Sequence, residues 1–134
     1  MKSALTKLSA QIEGELYYDS LHIALYATDA SVYRKLPLAV AFPKHTSDLK
    51  KLIDFALKNE TSLVPRTAGT SLAGQCVGDG IIVDVSKHFT DILRIDEQNK
   101  TVTVQPGVVR DELNEVLEPY GLFFGPNTST SNRC

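Results

Sequence analysis

Between Pro37 and Pro65 the chain runs through a short apolar segment, a long helical period and a second apolar segment. That alternation restricts the fold more than any other stretch. Leu38-Ala39-Val40-Ala41-Phe42 lies between Pro37 and Pro43, is too short for a helix and is apolar throughout, so it reads as a buried strand. Thr46 or Ser47 then caps a helix with Asp48 in its first turn, where a carboxylate suits the positive end of the dipole. Leu49, Leu52, Ile53, Ala56 and Leu57 form one apolar stripe, and Asn59 is the expected C-cap. Ser62-Leu63-Val64-Pro65 is the next strand. Strand, helix and strand within ~30 residues predict a right-handed βαβ unit with a parallel pair.

The flanks add to this frame. Leu5, Leu8, Ile12 and Leu16 share one helical stripe, so residues 1–16 are expected to be an amphipathic helix, weakened at Gly14. Residues 17–37 have no clean period and carry Tyr17, Tyr18, Tyr26 and Tyr33, which suggests an irregular aromatic-anchored lead-in with a short helix at 20–25. Gly80-Ile81-Ile82-Val83-Asp84-Val85 is a third buried strand, in which Asp84 either accepts from a neighbouring loop or begins a wet end. Leu93–Asp96 and Thr101–Val104 alternate and predict a hairpin with one wet face. Val109, Leu113, Val116 and Leu117 mark a last helix closed by Pro119 and Gly121. The expected fold class is α+β: a small parallel βαβ-type sheet flanked by helices, plus a β-hairpin. Residues 1–37 form the helical lead-in and 38–134 the α/β subdomain.

Charge removes several functions. Lys and Arg number 14 and Asp and Glu 16, a net charge of −2, which does not suit a nucleic-acid surface or a polybasic membrane patch. No apolar run approaches the ~20 residues of a membrane span, and no apolar h-region follows Met1, so a cytoplasmic location is expected. Cys76 and Cys134 are too few for a disulfide framework or an all-cysteine zinc site. His22, His45 and His88 lack metal-like spacing.

The chemistry concentrates in Pro65-Arg66-Thr67-Ala68-Gly69-Thr70-Ser71-Leu72-Ala73-Gly74-Gln75. Small residues let main-chain N–H groups approach an anion, and glycines admit the positive φ that turns successive N–H groups inward. Thr70 and Ser71 add hydroxyls, and Arg66 adds a charge. A phosphate cradle and an ordinary surface loop both fit this composition. Gly69 to Gly74 has the glycine spacing of a P-loop, but Gln75 and Cys76 stand where that motif needs Lys and Ser or Thr. No G-x-G-x-x-G opens a helix, so a Rossmann site fits poorly as well. Val104-Gln105-Pro106-Gly107 taken alone is a turn into a capped helix, and Gly125 to Cys134 is either a polar ligand lining or a frayed tail.

Taken in order, these segments resemble the FAD-binding domain of the vanillyl-alcohol oxidase/p-cresol methylhydroxylase (PCMH-type) family. The resemblance rests on Tyr26 to Tyr33, Pro37 to Pro43, the loop Pro65 to Gln75, Gly80 to Ser86, and Val104-Gln105-Pro106-Gly107. Within the family the chain is similar to FAD-linked D-2-hydroxy-acid dehydrogenases of the glycolate oxidase, D-lactate and D-2-hydroxyglutarate type. Its last residues, Ser129 to Cys134, resemble the large members fused to an iron–sulfur module. The fold implied is the first subdomain of a PCMH-type FAD-binding domain, truncated at its C-terminus.

The resemblance implies roles. Arg66, Thr67, Ala68, Gly69, Thr70 and Ser71 would wrap the FAD pyrophosphate, with Gly74 and Gln75 completing the turn. Pro126 and the loop Thr128, Ser129, Thr130, Ser131 and Asn132 would approach from the opposite side. Thr67 replaces a glycine found in many members. Thr70 replaces the histidine of covalently flavinylated ones, so dissociable FAD is expected. The activity implied for the family is hydride transfer from a small D-2-hydroxy acid to flavin, with reoxidation by another carrier. Substrate-binding residues lie in a later cap domain in this family, so no catalytic residue is expected within these 134 residues. A truncated chain is expected to bind FAD weakly or not at all, not to turn over, and to self-associate through apolar surface. The alternatives are a nucleotide- or anion-binding module without redox activity, and a structural α+β domain.

Overall fold

Small and β-branched residues fill the two central strands, and this lets helices approach the sheet closely. A computed structural model describes residues 1–134. Its elements are α1 (Lys2–Ser9), β1 (Glu15–Tyr17), α2 (Ser20–Leu25), β2 (Ala39–Phe42), α3 (Thr46–Lys58), β3 (Leu63–Arg66), β4 (Ile81–Asp84), β5 (Ile92–Asp96), β6 (Thr101–Val104) and α4 (Arg110–Leu117). A 3₁₀ turn, Glu118–Tyr120, follows α4 and ends at Gly121 in the left-handed region. The architecture is α+β, as expected.

The main sheet has the order β1-β2-β4-β3. β2 and β3 are both parallel to β4, with Ala39 and Leu63 each opposite Ile81, and β1 joins antiparallel to β2. The expected βαβ unit is therefore present with one correction: β2 and β3 are not neighbours, because β4 lies between them. β3 is an outer strand and carries Pro65 opposite Val83. The hairpin β5–β6 is a separate antiparallel sheet. It has no fully buried residue on either face, so burial there is only partial.

One sheet face carries Ala39, Ala41, Ile81 and Val83, which pack with Leu5, Leu8, Leu52 and Phe55. Each large aliphatic side chain buried here contributes roughly 1.5–3 kcal/mol. Val40 and Ile82 point to the other face and are equally buried. Tyr26 and Tyr17 stand edge-on to Phe42 on that side, at 5.8 and 5.9 Å between ring centroids.

Three details depart from the sequence-based expectation, the first in α3: Leu52 and Ala56 of its stripe are buried together with Phe55, but Ile53 and Leu57 face solvent. The helix expected over 1–16 stops at Ser9, and Leu16 lies in β1. All four stripe residues are buried in one core nonetheless. Past the helix end the chain meets Asp48, which has no exposed surface and accepts the N–H groups of Glu13 (3.0 Å), Gly14 (2.9 Å) and Lys44 (3.0 Å). Those bonds hold residues 13 and 14 out of a helix. The N-cap of α3 is His45, without a side-chain cap, rather than Thr46 or Ser47. Asp48 thus serves as the anion for two neighbouring turns. Asn59 is the C-cap of α3, as expected.

Candidate functional site

β3 and β4 end side by side, with Arg66 opposite Asp84. The glycine-rich segment leaves from this end of the sheet. Thr67, Gly69, Thr70, Ser71, Leu72, Ala73, Gln75 and Cys76 line an open concavity of about 550 Å³. The structure therefore gathers the central candidates in one place.

Gly69 and Gly74 have φ of +66° and +77°, the left-handed region that glycine enters without strain. A Cβ at Gly69 would lie 2.5 Å from Arg66 Nη2, and one at Gly74 would lie 2.7 Å from the Tyr33 ring. Ser71 Oγ accepts the N–H groups of Ala73 (3.2 Å) and Gln75 (3.3 Å) and donates to the Gln75 side chain. The N–H groups of Ala68, Gly69, Thr70, Ser71 and Leu72 find no acceptor within the chain. A run of unpaired donors on a turn that passes through the left-handed region at Gly69 suits an anion.

The leading segment backs this loop. Arg66 Nη1 donates to the Thr28 carbonyl at 2.7 Å, and its guanidinium lies 4.9 Å from the Tyr26 ring centroid. Ala30 N–H donates to the Gly69 carbonyl at 3.0 Å. Asp29 accepts the Ser31 N–H on Oδ1 at 2.8 Å, while its Oδ2 is buried without a donor.

Asp84 is buried and fully engaged. Its Oδ2 accepts the Tyr26 hydroxyl at 2.7 Å, and its Oδ1 accepts the Ser86 N–H at 2.9 Å and hydroxyl at 2.6 Å. Of the two roles open to Asp84 from sequence, the acceptor role is the observed one. Burial first, and then the bond to Asp84, push the Tyr26 hydroxyl pKa well up, so it stays a donor. Burial likewise raises the Cys76 thiol, which keeps it protonated and poorly nucleophilic.

The remaining candidates sit elsewhere. Arg110 Nε donates to the Pro126 carbonyl at 2.6 Å, and Ser131 Oγ donates to Asp111 Oδ2 at 3.0 Å. The segment 126–134 thus docks on the first turn of α4. No hydrogen bond or shared lining joins Pro126 or Thr128, Ser129, Thr130, Ser131 and Asn132 to the glycine loop. Asp111 binds this segment as well as complementing the helix dipole. The sequence singles out Tyr26 to Tyr33 as a segment of the resemblance but gives Tyr26, Thr28 and Tyr33 no part in supporting the loop. The signals are the density of tyrosines ahead of β2 and the place of this segment in the resemblance.

Known proteins resemble this chain in sequence and fold. A sequence profile described as "FAD binding domain" matches residues 37–134. The chain is 45% identical over 128 residues to a D-2-hydroxyglutarate dehydrogenase of Haemophilus influenzae, covering 91% of this chain and 12% of the relative. It is 35% identical over 124 residues to glycolate oxidase subunit GlcD of Bacillus subtilis, covering 90% of this chain and 26% of the relative. Among solved structures, p-cresol methylhydroxylase superposes with a TM-score of 0.76 at 15% identity, covering 90% of this chain and 25% of that one. An alkyldihydroxyacetonephosphate synthase reaches 0.80 at 17% identity, covering 96% of this chain and 26% of that one. These two superpositions establish the fold.

Proposed function

Because the chain belongs to the FAD binding domain family, we propose that its glycine loop holds the FAD pyrophosphate, with Arg66, Thr67, Ala68, Gly69, Thr70, Ser71, Gly74 and Gln75 as the binding set. The observation that carries this reading is the run of free N–H groups from Ala68 to Leu72 on a turn that takes a left-handed φ at Gly69, against the Arg66 guanidinium. FAD suits this donor set, since a pyrophosphate offers several acceptor oxygens and two negative charges. Thr70 offers no imidazole for a covalent link, so the flavin is dissociable. Pro126 and residues 128–132 belong to this proposal only as a second contact, supported by the resemblance and not by a contact with the loop.

The chain spans 12% of the length of the Haemophilus influenzae relative and 26% of the Bacillus subtilis one. The activity of a whole protein of this kind is therefore part of the proposal: oxidation of a small D-2-hydroxy acid, with bound FAD taking up the hydride. The identity to D-2-hydroxyglutarate dehydrogenase supports that substrate class. A separate carrier reoxidises the flavin, and the resemblance points to an iron–sulfur module. Within these residues the chain's contribution is binding: the loop neutralises and orients the diphosphate, and no acid or base chemistry is assigned to it. No helix is long and apolar enough to cross a membrane. Exposed Val32, Leu72 and Phe123 support self-association, which gel filtration over a concentration series tests.

Titration of the chain with FAD, followed by flavin fluorescence, tests the site. Weak but saturable quenching that ADP and pyrophosphate compete away, and that Gly69→Val abolishes, is the expected result for these residues alone. Equal response to any phosphate with no preference for FAD would favour the anion-binding alternative. No response, or one unaltered by Gly69→Val, would remove the loop from the site.

A further inference from the structure

Arg66 and Asp84 are Cα partners on neighbouring parallel strands. Side chains at paired positions project from the same face of a sheet, and an arginine beside a carboxylate there ordinarily closes a short ion pair. No such pair forms. Asp84 spends Oδ2 on the Tyr26 hydroxyl at 2.7 Å and Oδ1 on Ser86. The Arg66 guanidinium instead rests over the Tyr26 ring, 4.9 Å from its centroid, and donates to the Thr28 carbonyl at 2.7 Å. The same ring therefore satisfies the acid through its edge and seats the cation on its face. Phe42 fixes that ring from the side, at 5.8 Å between centroids.

We propose that Tyr26 is a positioning residue that keeps the Arg66 guanidinium off Asp84 and so holds a positive charge at the glycine loop. Two carboxylates face this guanidinium. Asp29, in the turn behind the loop, leaves one buried oxygen unpaired, and Asp84 is screened by Tyr26. Removal of the ring opens Asp84 to Arg66. The charge then collapses onto the strand end, and Gly69 loses the guanidinium that packs against it. The consequence for ligand affinity rests on the FAD reading above; the effect on Arg66 itself does not.

The test uses the full chain and four variants: Tyr26→Leu, Tyr26→Phe, Asp84→Asn and the double variant Tyr26→Leu/Asp84→Asn. Without ligand, the Arg66 Nε–Hε signal in nitrogen-15 NMR reports the ion pair. Tyr26→Leu shifts the signal and slows its exchange with water, and adding Asp84→Asn returns both toward wild type. With FAD, Tyr26→Leu weakens binding about tenfold and the double variant regains most of that loss, as one charge-assisted contact withdrawn and restored. Rescue by removing an acid is not what a merely structural tyrosine shows. Tyr26→Phe keeps the ring and frees Oδ2, giving an intermediate shift, and it carries the test if Tyr26→Leu does not fold. An Arg66 signal unchanged in the folded tyrosine variants, or indifferent to Asp84→Asn, overturns the proposal. A responsive signal in a chain that ignores FAD sinks the FAD reading and leaves the positioning role standing.

Discussion

Two regions of this molecule bring main-chain N–H groups together around a point of negative charge, and they differ in where that charge comes from. At the start of α3 the charge is internal: Asp48, fully buried, accepts from Glu13, Gly14 and Lys44. In the loop after β3 the N–H groups of Ala68 to Leu72 have no acceptor in the chain. The first region meets its own electrostatic need and serves the fold. The second keeps its donors open, braced from behind by the cation of Arg66, and serves a ligand. Glycine content does not separate the two, because Gly14 and Gly69 both belong to such a turn. The presence or absence of a resident acid does.

The comparison breaks first at Asp48. Asp48→Ala strands three N–H groups and is expected to lower unfolding free energy by about 3–5 kcal/mol, read from urea denaturation. Acid acts at the same place with smaller effect. Burial alone would raise the Asp48 pKa, but the three N–H bonds and nearby Lys51 outweigh it and hold it below the ordinary value of 3.8. Its contribution is complete above that ordinary value and is lost as pH falls through the depressed folded value. Thermal melts from pH 5 downward should show this loss in the native chain and not in Asp48→Ala.

Gly69→Val comes next. A β-branched residue at φ +66° costs about 1–2 kcal/mol, and FAD binding should vanish while the sheet stays folded by circular dichroism. Arg66→Ala should weaken FAD binding about tenfold and flatten its dependence on salt, measured by titration at two ionic strengths. The smallest effect is Ser71→Ala, with stability changed by less than about 0.5 kcal/mol. Amide exchange should quicken at Ala73 and Gln75, which lose their only acceptor. If Asp48→Ala weakened FAD binding in a still-folded chain while Gly69→Val spared it, the division between the two turns would be wrong.

Local pattern made much of this legible in advance. β2, β4 and the hairpin follow from runs and periods that neighbouring residues establish alone, whereas the period of α3 found the helix but turned its core face: Ile53 and Leu57 are exposed and Phe55 is buried. The failures share a cause. Asp48 is the first-turn carboxylate expected, but its further partners at Glu13 and Gly14 were hidden because they are distant in the chain. Leu16 fell on the helical stripe by spacing, yet a three-residue strand carries no period of its own. The place of β4 between β2 and β3 is decided by packing, not by order along the chain. The glycine loop was readable because its requirement is for backbone, which sequence states directly. Its bracing by Tyr26 and Asp84, 58 residues apart, was not.

Pro65 on the outer strand has a consequence for how copies of this chain meet in a crowded solution. Ser62 and Arg66 turn their carbonyls toward β4, accepting from Ile81 and Val85. By the two-residue repeat of a strand, position 65 therefore faces away from the sheet. An amide there would invite a stranger's strand to extend the ladder; the pyrrolidine ring refuses it. The chain thus blunts the one parallel edge from which a stacked aggregate would grow, at the position where the missing hydrogen is of no use to its own fold.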